Sequence, residues 1–175
     1  MKIGSILDSE SNELSVNLGI SDSQIEQLLI FTHTDPEIRK FTSDFSRFPD
    51  KSSFDSWEKD KFLYTLSNNS GDLLGFIWIE QKQLPVEAEN VSPKKYGLTI
   101  AVRTYGKARG KGYFKPFLEK VLTYFKQKEE YEQISDNGFW ISIAKENIPS
   151  QKAFENFGFK RVASRSQIDR IFMLL

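Results

Sequence analysis

The segment from Phe114 to Phe125 constrains the fold more than any other part of the chain. Phe114, Phe117, Leu118, Val121, Leu122 and Phe125 recur at three- and four-residue spacing, and Lys115, Glu119, Lys120, Lys126 and Lys128 take the opposite positions. This is the period of a helix with one buried face. Pro116 has no N–H and fits only a first turn, so the helix is predicted to begin close to Tyr113. Just before it, "RGKG" (Arg109–Gly112) follows "YGLTIAV" (Tyr96–Val102), a β-rich run. Two glycines and two cations therefore stand where a strand hands over to a helix.

The rest of the chain supplies partners for these two elements. "IGSIL" and "ELSVNL" read as two short strands or a hairpin, and "SDSQIEQLLIF" as a helix opened by capping side chains. Pro36, Pro49 and scattered aromatics between Thr34 and Asp60 predict short helices joined by turns. "KFLYTLS" and "LLGFIWIEQ" flank the turn cluster "NNSGD" and read as a hairpin. After the loop "QLPVEAENVSPK" come the strand and helix described above. "GFWISIA" is a further strand, "NIPSQKAFENFGF" a short helix capped by Asn147 or Ser150 and stopped by Gly158, and "FKRVAS" and "DRIFMLL" two last strands. Strands alternating with two well-marked helices predict one mixed α/β domain over residues 1–175.

Composition limits what such a domain can do. With no cysteine, disulfides, thiolate metal sites and a cysteine nucleophile are excluded together. No His, Asp or Glu cluster has metal-ligand spacing, so no metal is expected. With 24 basic and 24 acidic residues the net charge is zero, which gives no general attraction to nucleic acid or membrane. Neither a secretion signal nor a membrane span is expected, and a cytoplasmic location fits.

Any anion site must then be local, and the junction is where one is expected. The first N–H groups of a helix lack intrahelical partners and carry partial positive charge. Gly110 and Gly112 let backbone approach an oxygen-rich ligand, and Arg109 and Lys111 add full charges. From Arg103 to Lys115 there are five basic residues and no acidic one. The nucleotide P-loop does not fit, because only three residues separate Gly106 from Gly110 and Gly112 follows Lys111. The dinucleotide fingerprint fails because Lys115 stands where its third glycine belongs. A turn with solvated charges and a basic nucleic-acid surface are the other readings.

"RGKGYF" resembles the Arg/Gln-x-x-Gly-x-Gly/Ala signature of the GCN5-related N-acetyltransferase (GNAT) superfamily. About 35 residues later, "NIPSQKAFENFGF" is similar to that family's second signature, and the order of elements from Lys61 to Leu175 matches its sheet. The resemblance implies a central mixed, mostly antiparallel sheet flanked by helices. Residues 1–60 would form N-terminal strands and acceptor-side helices, and residues 61–175 the acyl-coenzyme A-binding core. It implies acyl transfer, most simply of acetyl, from acetyl-coenzyme A to an amine acceptor, either a small molecule or a protein. Nucleic-acid and membrane partners are not expected, and a homodimer is compatible. Arg109, Gly110, Lys111, Gly112, Tyr113 and Phe114 would hold the coenzyme A pyrophosphate, and main-chain groups near Ile100 and Val102 the pantetheine arm. Asn147 would lie by the same arm, although a plain helix cap explains it as well.

Catalytic groups are harder to assign. Phe114 stands where the family prefers Gly or Ala. Phe154 stands where many members carry a Tyr that protonates the departing thiolate, and phenylalanine has no proton to give. Glu80 is the nearest candidate base by topology, with a solvated strand end as the plainer reading. His33 fits a surface or capping role better than catalysis. Aromatics between Ser21 and Asp60, Trp57 among them, could line an acceptor site but are more often core. A coenzyme A-binding protein with little or no turnover is the alternative that Phe154 raises.

Overall fold

The computed structural model describes residues 1–85, 91–128, 134, 137–162 and 169–175. The middle of the expected loop "QLPVEAENVSPK" and the end of "FKRVAS" lie outside these residues. Among the described residues, eight strands form one sheet in the order β1-β2-β3-β4-β5-β6-β8-β7. They are β1 Lys2–Leu7, β2 Glu13–Leu18, β3 Lys61–Ser67, β4 Leu73–Gln81, β5 Leu98–Thr104, β6 Phe139–Ala144, β7 Lys160–Val162 and β8 Arg170–Leu174. The helices are α1 Asp22–Thr34, α2 Pro36–Phe41, α3 Asp44–Arg47, α4 Lys51–Trp57, α5 Phe114–Lys126 and α6 Ile148–Phe157. The expected mixed, mostly antiparallel sheet with flanking helices is what the chain forms. Its residues group into two compact units, Met1–Trp78 with Val102–Tyr124, and Ile79–Ala101 with Phe125–Leu175.

In the first unit β1 and β2 are an antiparallel hairpin, and β2 continues antiparallel onto β3. Asp8 closes the hairpin turn by accepting the Glu10 and Asn12 N–H groups. Ser21 opens α1 with a reciprocal capping box with Gln24, which satisfies two donors that would otherwise be orphaned. Between β3 and β4 the Asn68 side chain accepts from Ser70 and Asp72 N–H, and Gly71 takes φ +82°. The α5 face that the periodicity marked is buried at Phe117, Leu118, Val121 and Leu122. Gly75 makes room for it, since a Cβ there would lie 3.1 Å from the Phe117 ring and 3.3 Å from the Arg103 carbonyl. The aromatics Phe48, Phe54, Phe76 and Trp78 are buried together, with Trp57 edge-on to Trp78 at 5.1 Å.

In the second unit β6 pairs antiparallel with β8 along its length, and β8 with β7. Trp140 packs with Leu84, Phe172 and Leu174 and donates its indole N–H to the Lys82 carbonyl at 2.7 Å. The N-cap of α6 is Asn147, and Gly158 ends the helix at φ +123°. Gln151, buried in α6, donates to the Ala144 and Lys145 carbonyls and so ties the helix to the end of β6.

Candidate functional site

The strand-to-helix junction lies in the first unit. After β5 the chain makes one tight turn at Gly106–Ala108, reaches Arg109 in extended conformation, and enters α5 at Phe114. Gly110 and Gly112 sit at φ +72° and +79°, the left-handed region that costs an L-residue strain. A Cβ on either glycine would meet no atom within 4 Å. Glycine is therefore required here by backbone conformation, and the space beside it is open. Gly110, Lys111 and Gly112 are exposed. Among the described residues, the N–H groups of Gly110, Gly112 and Tyr113 donate to no protein acceptor, while Lys111 N–H reaches the Ala108 carbonyl at 3.3 Å. Pro116 occupies the third helical position, where its missing N–H costs nothing. Burial, followed by the Asp8 and Glu10 charges, holds the Tyr113 phenol above its ordinary pKa.

The basic run is largely engaged by carboxylates distant in sequence. Arg109 Nη2 donates to Asp35 Oδ2 at 2.6 Å, and its Nε lies 3.7 Å from Glu37. Arg103 donates to both oxygens of Asp44, from Nε at 2.5 Å and Nη2 at 2.9 Å, and stacks its guanidinium over Trp78. Arg47 also donates to Asp44, at 2.6 Å. Lys107 pairs with Asp72 at 3.1 Å on the exposed surface. Burial pushes the Asp44 carboxyl up, but Arg103, Arg47 and the Thr42 hydroxyl outweigh it and hold the group below the usual carboxylate range. At Asp35 burial is likewise outweighed, by Arg109 and by the Ile38 and Glu37 N–H groups. Tyr105, buried and stacked on Phe31 at 4.6 Å, is held strongly protonated by burial first and the Asp44 charge second.

In the second unit β5 and β6 run parallel but pair only at Leu98↔Phe139 and Thr99↔Trp140. The ladder therefore ends just before buried Ile100. Two residues on, in the first unit, the Val102 carbonyl accepts Arg103 Nη1 at 3.1 Å. Asn147 uses its side-chain oxygen to cap α6, accepting from Ser150 N–H at 3.2 Å. Among the described residues its side-chain amide N–H group has no protein acceptor, so capping leaves a donor over. Phe154 is buried edge-on to Phe159 at 5.1 Å. Glu80 is half-buried at the penultimate position of β4 and forms no ion pair among the described residues. In the first unit His33 contacts the Pro49 carbonyl and the Phe45 ring. No group of three or more His, Asp or Glu among the described residues could hold a metal ion, and no described helix is long and apolar enough to cross a membrane. Sequence reasoning missed Asp35, the extended residue between α1 and α2, and Asp44, which opens the one-turn α3; neither carries a motif.

A family model for the acetyltransferase (GNAT) domain matches residues 19–160, and the chain belongs to that family. No curated protein matches the sequence. Among solved structures, the GNAT domain of Streptomyces lividans PAT superposes with TM-score 0.67 at 13% identity, covering 98% of this chain and 95% of that one. Salmonella typhimurium yncA, solved with its cofactor acetyl-CoA, gives 0.65 at 12% identity, with coverage of 93% and 92%. Vibrio cholerae spermidine N-acetyltransferase, in complex with CoA and spermine, gives 0.58 at 11% identity, with coverage of 92% and 95%. At these identities the likeness is one of fold.

Proposed function

We propose that this protein is an acyl-coenzyme A-dependent N-acyltransferase that transfers acetyl from acetyl-coenzyme A to a primary amine. The observation that carries the reading is the exposed loop at the mouth of α5, where the N–H groups of Gly110, Gly112 and Tyr113 lack protein acceptors among the described residues, beside open space. Such a cradle suits a diphosphate. The coenzyme A ligands of the Salmonella and Vibrio proteins support the same ligand here. The family match runs through parts of both units, which favours reading residues 1–175 as one acyltransferase domain.

In this reading the loop from Arg109 to Phe114 holds the pyrophosphate through backbone N–H groups, with Lys111 as its local cation. Main chain at Ile100 and Val102 serves the pantetheine arm, and the spare amide N–H group of Asn147 serves a carbonyl of that arm. Transfer forms a C–N bond between the amine and the acyl carbon and breaks the C–S bond. The amine proton leaves through Glu80 or solvent, and the thiolate takes a proton from solvent because Phe154 has none to give. The acceptor is a small molecule or a protein amine. A second reading, coenzyme A binding with little turnover, is favoured by Phe154 alone.

Thermal unfolding with acetyl-coenzyme A, coenzyme A, ATP and a short oligonucleotide tests the assignment. Coenzyme A at a hundredfold its Kd stabilises by about 2.7 kcal/mol, a rise in Tm of roughly 5 to 10 °C. A rise with the two coenzyme A ligands alone is expected. No rise at saturation overturns the function, and acyl transfer to any of a panel of amines disposes of the second reading.

A further inference from the structure

The geometry points to Asp35 as a positioning residue for the loop Arg109–Tyr113, acting through the Arg109 guanidinium. The inference rests on the proposed coenzyme A site and concerns what arranges it. Asp35 does three jobs at once. Its N–H closes α1 on the Phe31 carbonyl, and its Oδ1 opens α2 by accepting Glu37 N–H at 3.0 Å and Ile38 N–H at 3.4 Å. Its Oδ2 is left for Arg109, 74 residues along the chain, at 2.6 Å. The Asp35 side chain is 8% exposed and that of Arg109 27%, so water screens the pair only in part.

A guanidinium held this way, with the Glu37 carboxylate 3.7 Å from its Nε, faces two negative groups. It is poorly placed to meet a diphosphate as well. Its effect falls on the backbone. The residues after Arg109 include two glycines in the left-handed region, and glycine loses the most freedom on ordering. Fixing the residue that precedes them reduces the freedom the loop must lose when an anion binds, which is preorganisation. Arg103, six residues before Arg109 and clamped by Asp44, pins the end of β5 to α3 in the same manner.

The test is coenzyme A affinity by calorimetry on the full chain for wild type, Asp35→Asn, Arg109→Gln and the double variant. Asparagine caps helices as well as aspartate does, so Asp35→Asn removes the charge and keeps the start of α2. Arg109→Gln leaves the cap untouched and covers the case in which Asp35→Asn folds poorly. Positioning predicts a loss of about three- to tenfold in each single variant and no further loss in the double, because both remove one interaction. Affinity for S-acetylpantetheine, which has no diphosphate, is expected to stay constant, whereas general damage would lower both. If Arg109 instead binds phosphate directly, Asp35→Asn leaves coenzyme A affinity unchanged or raises it while Arg109→Gln lowers it; that pattern overturns the positioning role alone. A wild type that binds no coenzyme A removes the proposed function and this role with it.

Discussion

Gly112→Ala separates a phosphate-binding loop from a mere turn. In the free protein the new methyl meets nothing within 4 Å, so no steric clash is expected. What remains is the strain of an L-residue at φ +79°, about 1 kcal/mol. For a chain of 175 residues this lowers Tm by roughly 2 to 4 °C. Coenzyme A should feel far more. The methyl stands in the open space a phosphate oxygen would use, and losing one charge-assisted hydrogen bond of about 1.5–3 kcal/mol weakens binding about ten- to a hundredfold. Gly106→Ala is the control, since Gly106 is exposed, has no positive φ and is equally uncrowded. It should leave both Tm and affinity near wild type. Calorimetric titration with coenzyme A, alongside ligand-free melting, reads both quantities. Unchanged affinity in Gly112→Ala with the small loss of Tm would show that the glycine serves only a turn. Equal loss in Gly106→Ala would show that the effect is not local to the loop.

Asn147→Asp keeps an acceptor for the Ser150 N–H but removes the spare donor, so helix stability should hold while coenzyme A affinity falls; Asn147→Ala should lower both, with about 1 kcal/mol lost in urea unfolding. Asp44→Ala leaves the Arg103 and Arg47 guanidiniums without their shared carboxylate and should cost about 3 kcal/mol, read as a lower urea midpoint. Acid should expose the same carboxylate. Because the folded Asp44 pKa lies below the unfolded value of about 3.9, its stabilisation is fully present above that value and is lost as pH falls through the folded pKa. The stability difference between wild type and Asp44→Asn should therefore shrink as pH drops below about 4, and a constant difference would refute the linkage.

What the sequence made legible was whatever is written in local periodicity. The apolar positions of α5 from Phe117 to Phe125 are buried, Pro116 falls in its first turn, and Asn147 and Gly158 bound α6 because cap chemistry acts within a few residues. Gly75 could not be read this way, since its reason is the Phe117 ring, more than 40 residues away. The loop's charge shows the same limit more sharply. Five cations without an acid between Arg103 and Lys115 look like an unshielded basic patch. In space Asp44 takes Arg103, Asp72 takes Lys107 and Asp35 takes Arg109, which leaves Lys111 and Lys115 without an ion pair among the described residues. A nucleic-acid surface would need the whole run free to meet successive phosphates. A single diphosphate needs only a few backbone N–H groups and one or two nearby cations. The pairing that sequence could not show thus weakens the nucleic-acid reading and leaves the charge that a coenzyme A loop requires.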